Sequence, residues 1–317
     1  MINVLASPCQ DVYRFSMKNS VWLLSLVLFL TFSSCTKNSS ELGSKENPIK
    51  FYLVPAQDLL TLSENGKILQ KYLTTDLGMI VNVELPASFI AVVEAFGSKK
   101  ADVAILNTFG YVLAHEKYGV EAKLKLVNRG RDEYNGQIIA HVNGPKTVKE
   151  INGKKFAFVD PASTSGYLLP QRLFKQEHIK IKESIFSGRH DAVVLAVYQK
   201  KVDAGATFYT PPDDDGTPKD ARWLLRTQYP DVYDKVKILQ LTGPIPNDPL
   251  IFRKEIPEEL KNKIVESMKR YIKTEEGAKV LYNLYHITDF KVAADKDYDV
   301  IRGYLKDLGK SAQDFIK

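Results

Sequence analysis

Three apolar runs decide the fold of this chain: IKFYLV at residues 49–54, IVNVEL at residues 80–85 and ADVAIL at residues 101–106. Their β-branched and aromatic residues are typical of strands. Helical patterns follow, one ending at Gly78 in the usual C-terminal position and the next beginning at Ser88, a favourable N-cap. Strand–helix alternation of this kind predicts a parallel sheet with covering helices.

The same alternation returns further along the chain, in this order: strand 155–159, helix 166–176, helix 190–198, strand 204–208 and strand 235–241. The run GPIPNDP at residues 243–249 is expected to be irregular, because proline has no N–H to give to a sheet or helix. We expect this run to carry the chain back to the first set of elements. Residues after Ile251 are predicted to be mostly helical.

These two sets of elements predict an α/β fold with two lobes, each a mostly parallel sheet with flanking helices. Residues 48–138 and 243–317 are assigned to lobe 1 and residues 139–242 to lobe 2, so two chain crossings form a hinge. About 280 residues exceed the usual size of one core, in keeping with two lobes. A ligand site is expected between the lobes, at the carboxyl ends of the strands.

The N-terminus has the pattern of an export signal. The uncharged run VWLLSLVLFLTF at residues 21–32 is too short for a membrane span, which takes about 20 apolar residues. It leads into Ser33-Ser34-Cys35, which resembles a bacterial lipobox. We therefore expect residues 1–34 to be removed and Cys35 to be lipidated, anchoring an exported protein that faces the periplasm or cell exterior. An ordinary signal peptide ending near a cysteine is the alternative, and translation is expected to begin at Met17.

Residues 35–47, the lipidated cysteine and a polar stretch, are interpreted as a flexible tether. The two cysteines, Cys9 and Cys35, precede the body of the protein, so neither a disulfide nor a zinc cluster is expected there. The net charge of +6 is dispersed along the chain and forms no basic stripe with interleaved aromatics, which argues against nucleic acid as a partner. No cofactor is predicted, and a monomer is expected because a hinge-bending cleft needs no second subunit.

The segment FVDPASTSGYL at residues 158–168 combines a strand end, an Asp-Pro break and three hydroxyl residues, Ser163, Thr164 and Ser165, that lead into a helix. The first turn of a helix has unpaired N–H groups and a partial positive charge. With the hydroxyls it suits a phosphate-like anion. Plain N-capping by Ser163 or Ser165 fits equally well.

Two further segments carry candidate ligand-binding residues. His190 follows Gly188 at the start of a predicted helix, where an imidazole N–H can donate to an oxyanion; a structural histidine is the alternative. Asp248 lies in the loop IPNDP, where its carboxylate can accept from an ammonium group or a protonated ligand oxygen. It can also bond to its own turn.

Together these segments closely resemble the phosphonate-, phosphite- and phosphate-binding proteins of ABC importers, within the type II periplasmic binding fold. The resemblance runs from about Pro48 to the C-terminal helices, and its motifs are Asp-Pro-x-Ser-Thr-Ser-Gly at 160–166, Gly-x-His at 188–190, Val-Asp at 202–203 and Ile-Pro-x-Asp-Pro at 245–249.

The resemblance implies that Ser163, Thr164, Ser165 and adjacent N–H groups hold the phosphoryl oxygens and that His190 donates a further bond. It also implies ABC permease and ATPase subunits as partners.

The sequence departs from binders of aminoalkylphosphonates, which can have tyrosine where Phe89 and Leu106 stand here. Residues 206–211 also contain no carboxylate to help Asp248 hold an amino group. Phosphate, phosphite or a simple phosphonate ester therefore fits the sequence at least as well as an aminoalkylphosphonate does. Tyr134 and Tyr209 are candidates to supply the hydroxyl groups that Phe89 and Leu106 lack.

Two other functions remain open from sequence. The same two lobes could present the oxyanion to a membrane receptor kinase as a sensory module. An enzyme is disfavoured, because no activated nucleophile or metal-ligand cluster is evident and His190 has no apparent catalytic partner.

Overall fold

The computed structural model describes residues 41–315, and Leu42 onward forms one compact unit. Its strands are β1 Ile49–Leu53, β2 Val81–Glu84, β3 Val103–Ile105, β4 Glu121–Val127, β5 Glu133–His141, β6 Lys155–Phe158, β7 Glu183–Phe186, β8 Ala204–Tyr209, β9 Val236–Pro246, β10 Pro249–Phe252 and β11 Asp289–Val292. Its helices are α1 Leu59–Leu77, α2 Phe89–Gly97, α3 Thr108–Tyr118, α4 Leu169–Gln176, α5 His190–Tyr198, α6 Val232–Lys235, α7 Glu258–Tyr271, α8 Glu275–Tyr285 and α9 Asp299–Leu308.

The strands form two sheets, one of six strands in the order β11-β4-β10-β3-β1-β2 and one of five in the order β7-β6-β8-β5-β9. In the first, β1 is parallel to β2 and β3, whereas β10 and β11 run antiparallel to their neighbours. In the second, β6 is parallel to β7 and β8, whereas β5 is antiparallel to β8 and β9. The α/β class is confirmed. Both sheets are mixed rather than mostly parallel, because the strands next to the chain crossings return in the opposite direction.

The first sheet forms where the apolar runs predicted it, and its helices begin and end at the expected residues. Gly78 follows α1 in the left-handed conformation at φ 64°, which glycine adopts without steric cost. The Ser88 hydroxyl caps α2 by accepting from the Ala91 N–H at 3.2 Å. Helix α3 begins at Thr108, with Asn107 at the N-cap.

The proline-rich run is the clearest departure from the sequence expectation. Strand β9 continues through Pro244 to Pro246, and Ile245 pairs with Tyr134 of β5. The expectation of an irregular run from residue 243 was therefore wrong. Proline is tolerated here because β9 is the edge strand of its sheet, so a missing N–H breaks no ladder on the open side.

Strands β5 and β9 both pair in the second sheet, although the lobe boundaries expected after residues 138 and 242 fall inside them. The chain passes between the sheets at residues 128–132 and again at Asn247-Asp248. One buried cluster contains side chains from both lobes, including Phe109 of α3 and Val193 of α5. The lobes are therefore packed against each other around the loops that follow their strands. Among the described helices, none is long and apolar enough to cross a membrane.

Candidate functional site

A cavity lies between the two sheets, where loops after the parallel strands face each other. Six of the candidate residues line it: Tyr134, Ser163, Thr164, Ser165, His190 and Asp248. Its volume is about 90 Å³, several times the ~10–15 Å³ that one water molecule needs. The cavity therefore has room for a small solute, and no lysine or arginine is among its lining residues.

The segment after β6 forms a π-helical turn, Thr164–Leu168, that continues into α4. The Ser163 hydroxyl caps it by accepting from the Gly166 N–H at 3.1 Å, which is the capping role that the sequence left open. A Cβ on Gly166 would lie 2.4 Å from Cγ2 of Val159, so only glycine fits against β6. Turns of this type are frequent at functional sites.

The Thr164 hydroxyl bonds to the first lobe rather than standing free in the cavity. Its Oγ1 accepts from Nδ2 of Asn107 at 3.1 Å and from the Phe109 N–H at 2.9 Å. It also lies 2.8 Å from the Thr108 hydroxyl oxygen. A hydroxyl has one proton and two acceptor lone pairs, so these three contacts use its full capacity.

Tyr134 and Asp248 form the buried polar side of the cavity. Burial raises the pKa of Asp248 to about 7, against the opposing effect of the Thr108 N–H and the Tyr134 hydroxyl. Its Oδ1 has no hydrogen-bond partner among the described residues. Burial and the nearby Asp248 raise the pKa of Tyr134, whose hydroxyl faces that of Ser165. Asp248 can therefore donate or accept a proton near neutrality, while Tyr134 stays a neutral donor.

His190 enters the cavity from the first turn of α5. Its backbone N–H donates to the Ala56 carbonyl across the lobes at 3.1 Å, and its Nδ1 lies 2.7 Å from the Thr207 hydroxyl oxygen. The ring makes an edge contact with Phe208, with centroids 5.0 Å apart. Burial lowers the pKa of His190 to about 3, so the imidazole is uncharged at neutral pH.

Tyr209 does not line the cavity. Successive side chains of a strand point to opposite faces, and in this segment Phe208 and Thr210 line the cavity instead. Tyr209 is therefore not placed to supply a hydroxyl group to a ligand in the cavity. Of the two positions compared with aminoalkylphosphonate binders, Phe89 lines the cavity and Leu106 does not.

Asn107, Asn247 and His286 also line the cavity and were not predicted. Asn107 could have been found, because it directly follows β3 at the sheet edge where ligands bind. The Asn247 side chain donates to the carbonyls of Leu126 and Arg131 at 3.0 and 2.8 Å, which fixes a chain crossing. His286 follows α8 in the left-handed conformation, and no sequence pattern indicated its role.

The chemistry of the cavity is that of a site for an uncharged or anionic polar solute. Its donors are hydroxyls, an imidazole and amides, and Asp248 is the titratable carboxyl beside them. Within residues 41–315, no group of three or more His, Cys, Asp or Glu side chains is placed to hold a metal ion.

Two mixed α/β lobes with a cavity at the carboxyl ends of their strands define a type II periplasmic binding protein fold. A binding protein component of an ABC phosphonate transporter (PA3383) from Pseudomonas aeruginosa has this fold, with TM-score 0.72 and 22% identity over 82% of this chain and 86% of that one. PhnD1 from Prochlorococcus marinus, solved in complex with methylphosphonate, has TM-score 0.70 and 19% identity over 83% and 98%. The family model for the periplasmic substrate-binding protein of phosphonate ABC transporters matches residues 51–298, and the chain belongs to this family.

Curated relatives agree with this assignment. The phosphonates-binding periplasmic protein of Escherichia coli is 25% identical over 277 residues, which cover 84% of this chain and 79% of the relative. The phosphate-import protein PhnD of Mycolicibacterium smegmatis is 30% identical over 175 residues, about half of each chain. A probable ABC transporter phosphite-binding protein, PhnD1 of Prochlorococcus marinus, is 29% identical over 202 residues, 58% of this chain and 66% of the relative. The chain is thus a substrate-binding component of an ABC transporter that acts outside the cytoplasm.

Proposed function

We propose that this protein captures a small phosphorus oxyanion, a phosphonate, phosphite or phosphate, in the interlobe cavity and delivers it to the permease and ATPase subunits of an ABC importer. One observation carries the proposal: neutral donors surround a small cavity beside the turn after β6, with one buried carboxyl, Asp248, among them. Membership of a transporter family supports delivery to an importer rather than to a receptor kinase. The protein binds its ligand without chemical turnover.

The phosphoryl oxygens accept hydrogen bonds from the hydroxyls of Ser165 and Tyr134 and from Nε2 of His190. Ser163 and Thr164 shape the same turn, while their hydroxyls bond to protein groups. A tetrahedral anion held by neutral donors needs no lysine or arginine, because oriented dipoles replace its hydration shell.

Asp248 gives the site its selectivity. Its carboxyl bonds to a ligand oxygen that shares a proton with it, so hydrogen phosphate, hydrogen phosphite and monoanionic phosphonates are favoured. When Asp248 is ionised it needs a ligand that brings a proton, and sulfate, which has none at neutral pH, is disfavoured. The absence of a second carboxylate at residues 206–211 favours a ligand without an amino group.

We further propose that the mature protein is a monomer anchored by a lipid on Cys35. These expectations rest on the sequence, because Cys35 lies outside the described residues. The tether is shorter than the expected 36–47, because Leu42 packs against the core and the Gly43 carbonyl accepts from the Ile80 N–H at 2.7 Å. The hinge falls at the two crossings, residues 128–132 and Asn247-Asp248, where strands of one sheet give way to strands of the other.

The test is the melting temperature of the detergent-purified protein with phosphate, phosphite, methylphosphonate, aminoethylphosphonate or sulfate. A ligand at 100 times its dissociation constant adds about 2.7 kcal/mol to the stability of the folded state. We expect a rise with at least one phosphorus anion and none with sulfate, and loss of the rise in His190→Ala. No rise with any phosphorus compound would overturn the proposed ligand class.

A further inference from the structure

The cavity has two ends, which lie along strand β8 and the residue that follows it. At the first end the His190 ring bonds to Thr207 at 2.7 Å, next to the proposed phosphoryl site. Thr210, three residues further along the chain, lines the cavity at the second end. At the rise of a β-strand this is about 10 Å away. A phosphonate with a short substituent can bridge that distance, so the second end faces the substituent.

His286 belongs to the second end of the cavity. The Arg129 guanidinium donates to the carbonyl of Pro211, the residue after Thr210, at 3.3 Å. The Arg129 N–H donates to the hydroxyl of Thr288, two residues after His286, at 2.7 Å. The first chain crossing therefore joins Thr210 of the second lobe to His286 of the first, and both residues line the cavity.

The His286 ring is a hydrogen-bond donor without a partner. Its ring nitrogens make no hydrogen bond among the described residues. Burial, helped by the cations of Arg129, Lys219 and Arg226, lowers the pKa of His286 to about 4, so the ring is uncharged and has one N–H. The backbone ends α8 in the left-handed conformation, at φ 57° and ψ 29°, where glycine is usual. A histidine in this position therefore offers its N–H to a solute in the cavity.

Cationic side chains lie behind His286. Arg129 and Lys219 both pair with Asp213, with 3.2 Å between Nζ of Lys219 and the carboxylate. The Lys219 carbonyl accepts from the Thr210 hydroxyl at 2.8 Å, which fixes this loop against the lining of the cavity. Two cations thus share one carboxylate, and one positive charge remains.

Arg226 adds a second positive charge. Its guanidinium lies over the Trp223 ring, with Cζ 3.0 Å from the ring centre, and it pairs with no carboxylate among the described residues. Asp214 and Asp215, on the same loop as Asp213, are exposed, where water and salt weaken their effect on a buried site. The second end of the cavity is therefore positive, so it attracts a carboxylate and repels an ammonium group.

We propose that His286 forms a second subsite, which binds the substituent of the phosphorus ligand and selects a substituent that ends in a carboxylate. The phosphoryl group lies at the turn after β6, and the carboxylate accepts from the His286 ring in the field of the cations behind it. A phosphonocarboxylate is therefore preferred to an alkylphosphonate or an aminoalkylphosphonate. The inference rests on the proposed function, because it concerns the other end of the same ligand.

The experiment measures dissociation constants by calorimetry, using the full chain in detergent with phosphonoacetate, methylphosphonate and aminoethylphosphonate. We expect phosphonoacetate to bind about tenfold more tightly than methylphosphonate, which is the effect of one hydrogen bond to a charged group. Aminoethylphosphonate should bind more weakly than phosphonoacetate by at least the same factor, because its ammonium group meets a positive end of the cavity.

His286→Gly tests the donor without straining the fold, because glycine adopts the left-handed conformation freely and the melting temperature should not fall. The preference for phosphonoacetate over methylphosphonate should drop from about tenfold to none. His286→Asn, which also tolerates this conformation and offers an amide donor, should keep part of the preference.

Arg226→Met tests the charge and should reduce the preference. Lys149→Met is the matched control: its side chain is 81% exposed and precedes β6, at the opposite edge of the sheet from the cavity. Equal affinities of the wild type for phosphonoacetate and methylphosphonate would overturn the second subsite and leave the proposed function standing, as would a preference that survives in His286→Gly. Binding of none of these compounds, nor of phosphate or phosphite, would overturn the proposed function and the subsite with it.

Discussion

Nδ1 of His190 and the hydroxyl oxygen of Thr207 lie 2.7 Å apart in a buried contact at the back of the cavity. Because His190 is uncharged, its two ring nitrogens have different roles: one carries a proton and the other accepts. A Thr207 hydroxyl that donates to Nδ1 leaves the proton on Nε2, where it can be donated to an oxyanion. The proposed ligand contact uses the tautomer in which the Thr207 hydroxyl donates to Nδ1.

The first prediction concerns this pair. Thr207→Val should weaken binding of the phosphorus anion by about tenfold, because the ring loses the hydrogen bond that holds it in place. Thr207→Ser keeps the hydroxyl and should bind like the wild type. Calorimetric titration measures both variants, and equal affinities for valine and serine would show that Thr207 does not orient the ring.

The second prediction concerns pH. Asp248 has a pKa raised from its ordinary 3.8 to about 7, so the folded state holds the proton more tightly than the unfolded chain. Its contribution to stability therefore falls as the pH rises from about 4 to about 7 and is constant above that range. The span is up to about 4 kcal/mol, at about 1.36 kcal/mol per pKa unit.

Asp248→Asn should remove this part of the pH dependence without making the fold less stable at neutral pH. Urea unfolding of both proteins at the two ends of the range measures the difference. A variant whose stability varies with pH as steeply as the wild type would assign the effect to other groups.

The third prediction concerns the turn after β6. Gly166→Ala should destabilise the fold by about 1–3 kcal/mol, because the new Cβ overlaps Val159 in a packed region. Gly303→Ala is the matched control, since a Cβ there meets nothing within 4 Å and lies in the middle of α9. That control should stabilise the protein by about 1 kcal/mol through helix propensity. Thermal unfolding measures both, and equal shifts would contradict the packing argument.

The fourth prediction concerns export. Cys35→Ser should release the protein from membranes, because the thiol that takes the lipid is lost. Ser39→Ala, in the part of the chain that follows Cys35, is the control and should leave membrane association unchanged. Fractionation into detergent and aqueous phases measures both, and a Cys35→Ser protein that stays with the membrane would point to a different anchor.

Local patterns were enough to predict much of the fold. Helix α1 and its Gly78 cap, and the Ser88 cap of α2, depend on neighbouring residues and were placed correctly from sequence. Strand β7 was missed, because its four residues are all exposed at a sheet edge and show no alternation of buried and exposed positions. Strand β9 was predicted to end at residue 241. The sequence alone does not show that β9 lies at the edge of its sheet, where proline is tolerated.

Six of the seven candidate residues, chosen from sequence, line one cavity. The partners of Asp160 and Thr164 could not be predicted, because they lie 71 and 55 residues away in sequence, in the other lobe. The raised pKa of Asp248 could not be predicted from the sequence either, because burial of its side chain depends on the complete fold.

The cavity is lined by residues at strand ends, helix starts and chain crossings, such as Tyr134 of β5 and His190 of α5, while the buried sheets hold these segments in place. Evolution can therefore exchange one ligand for another by replacing a few of these residues, at little risk to folding. Relatives named for phosphonates, phosphate and phosphite are only 25–30% identical to this chain, a divergence that such a division between scaffold and recognition residues permits. Gene duplication followed by substitutions at these positions would give one bacterium several importers that share one ancestral fold and bind different oxyanions.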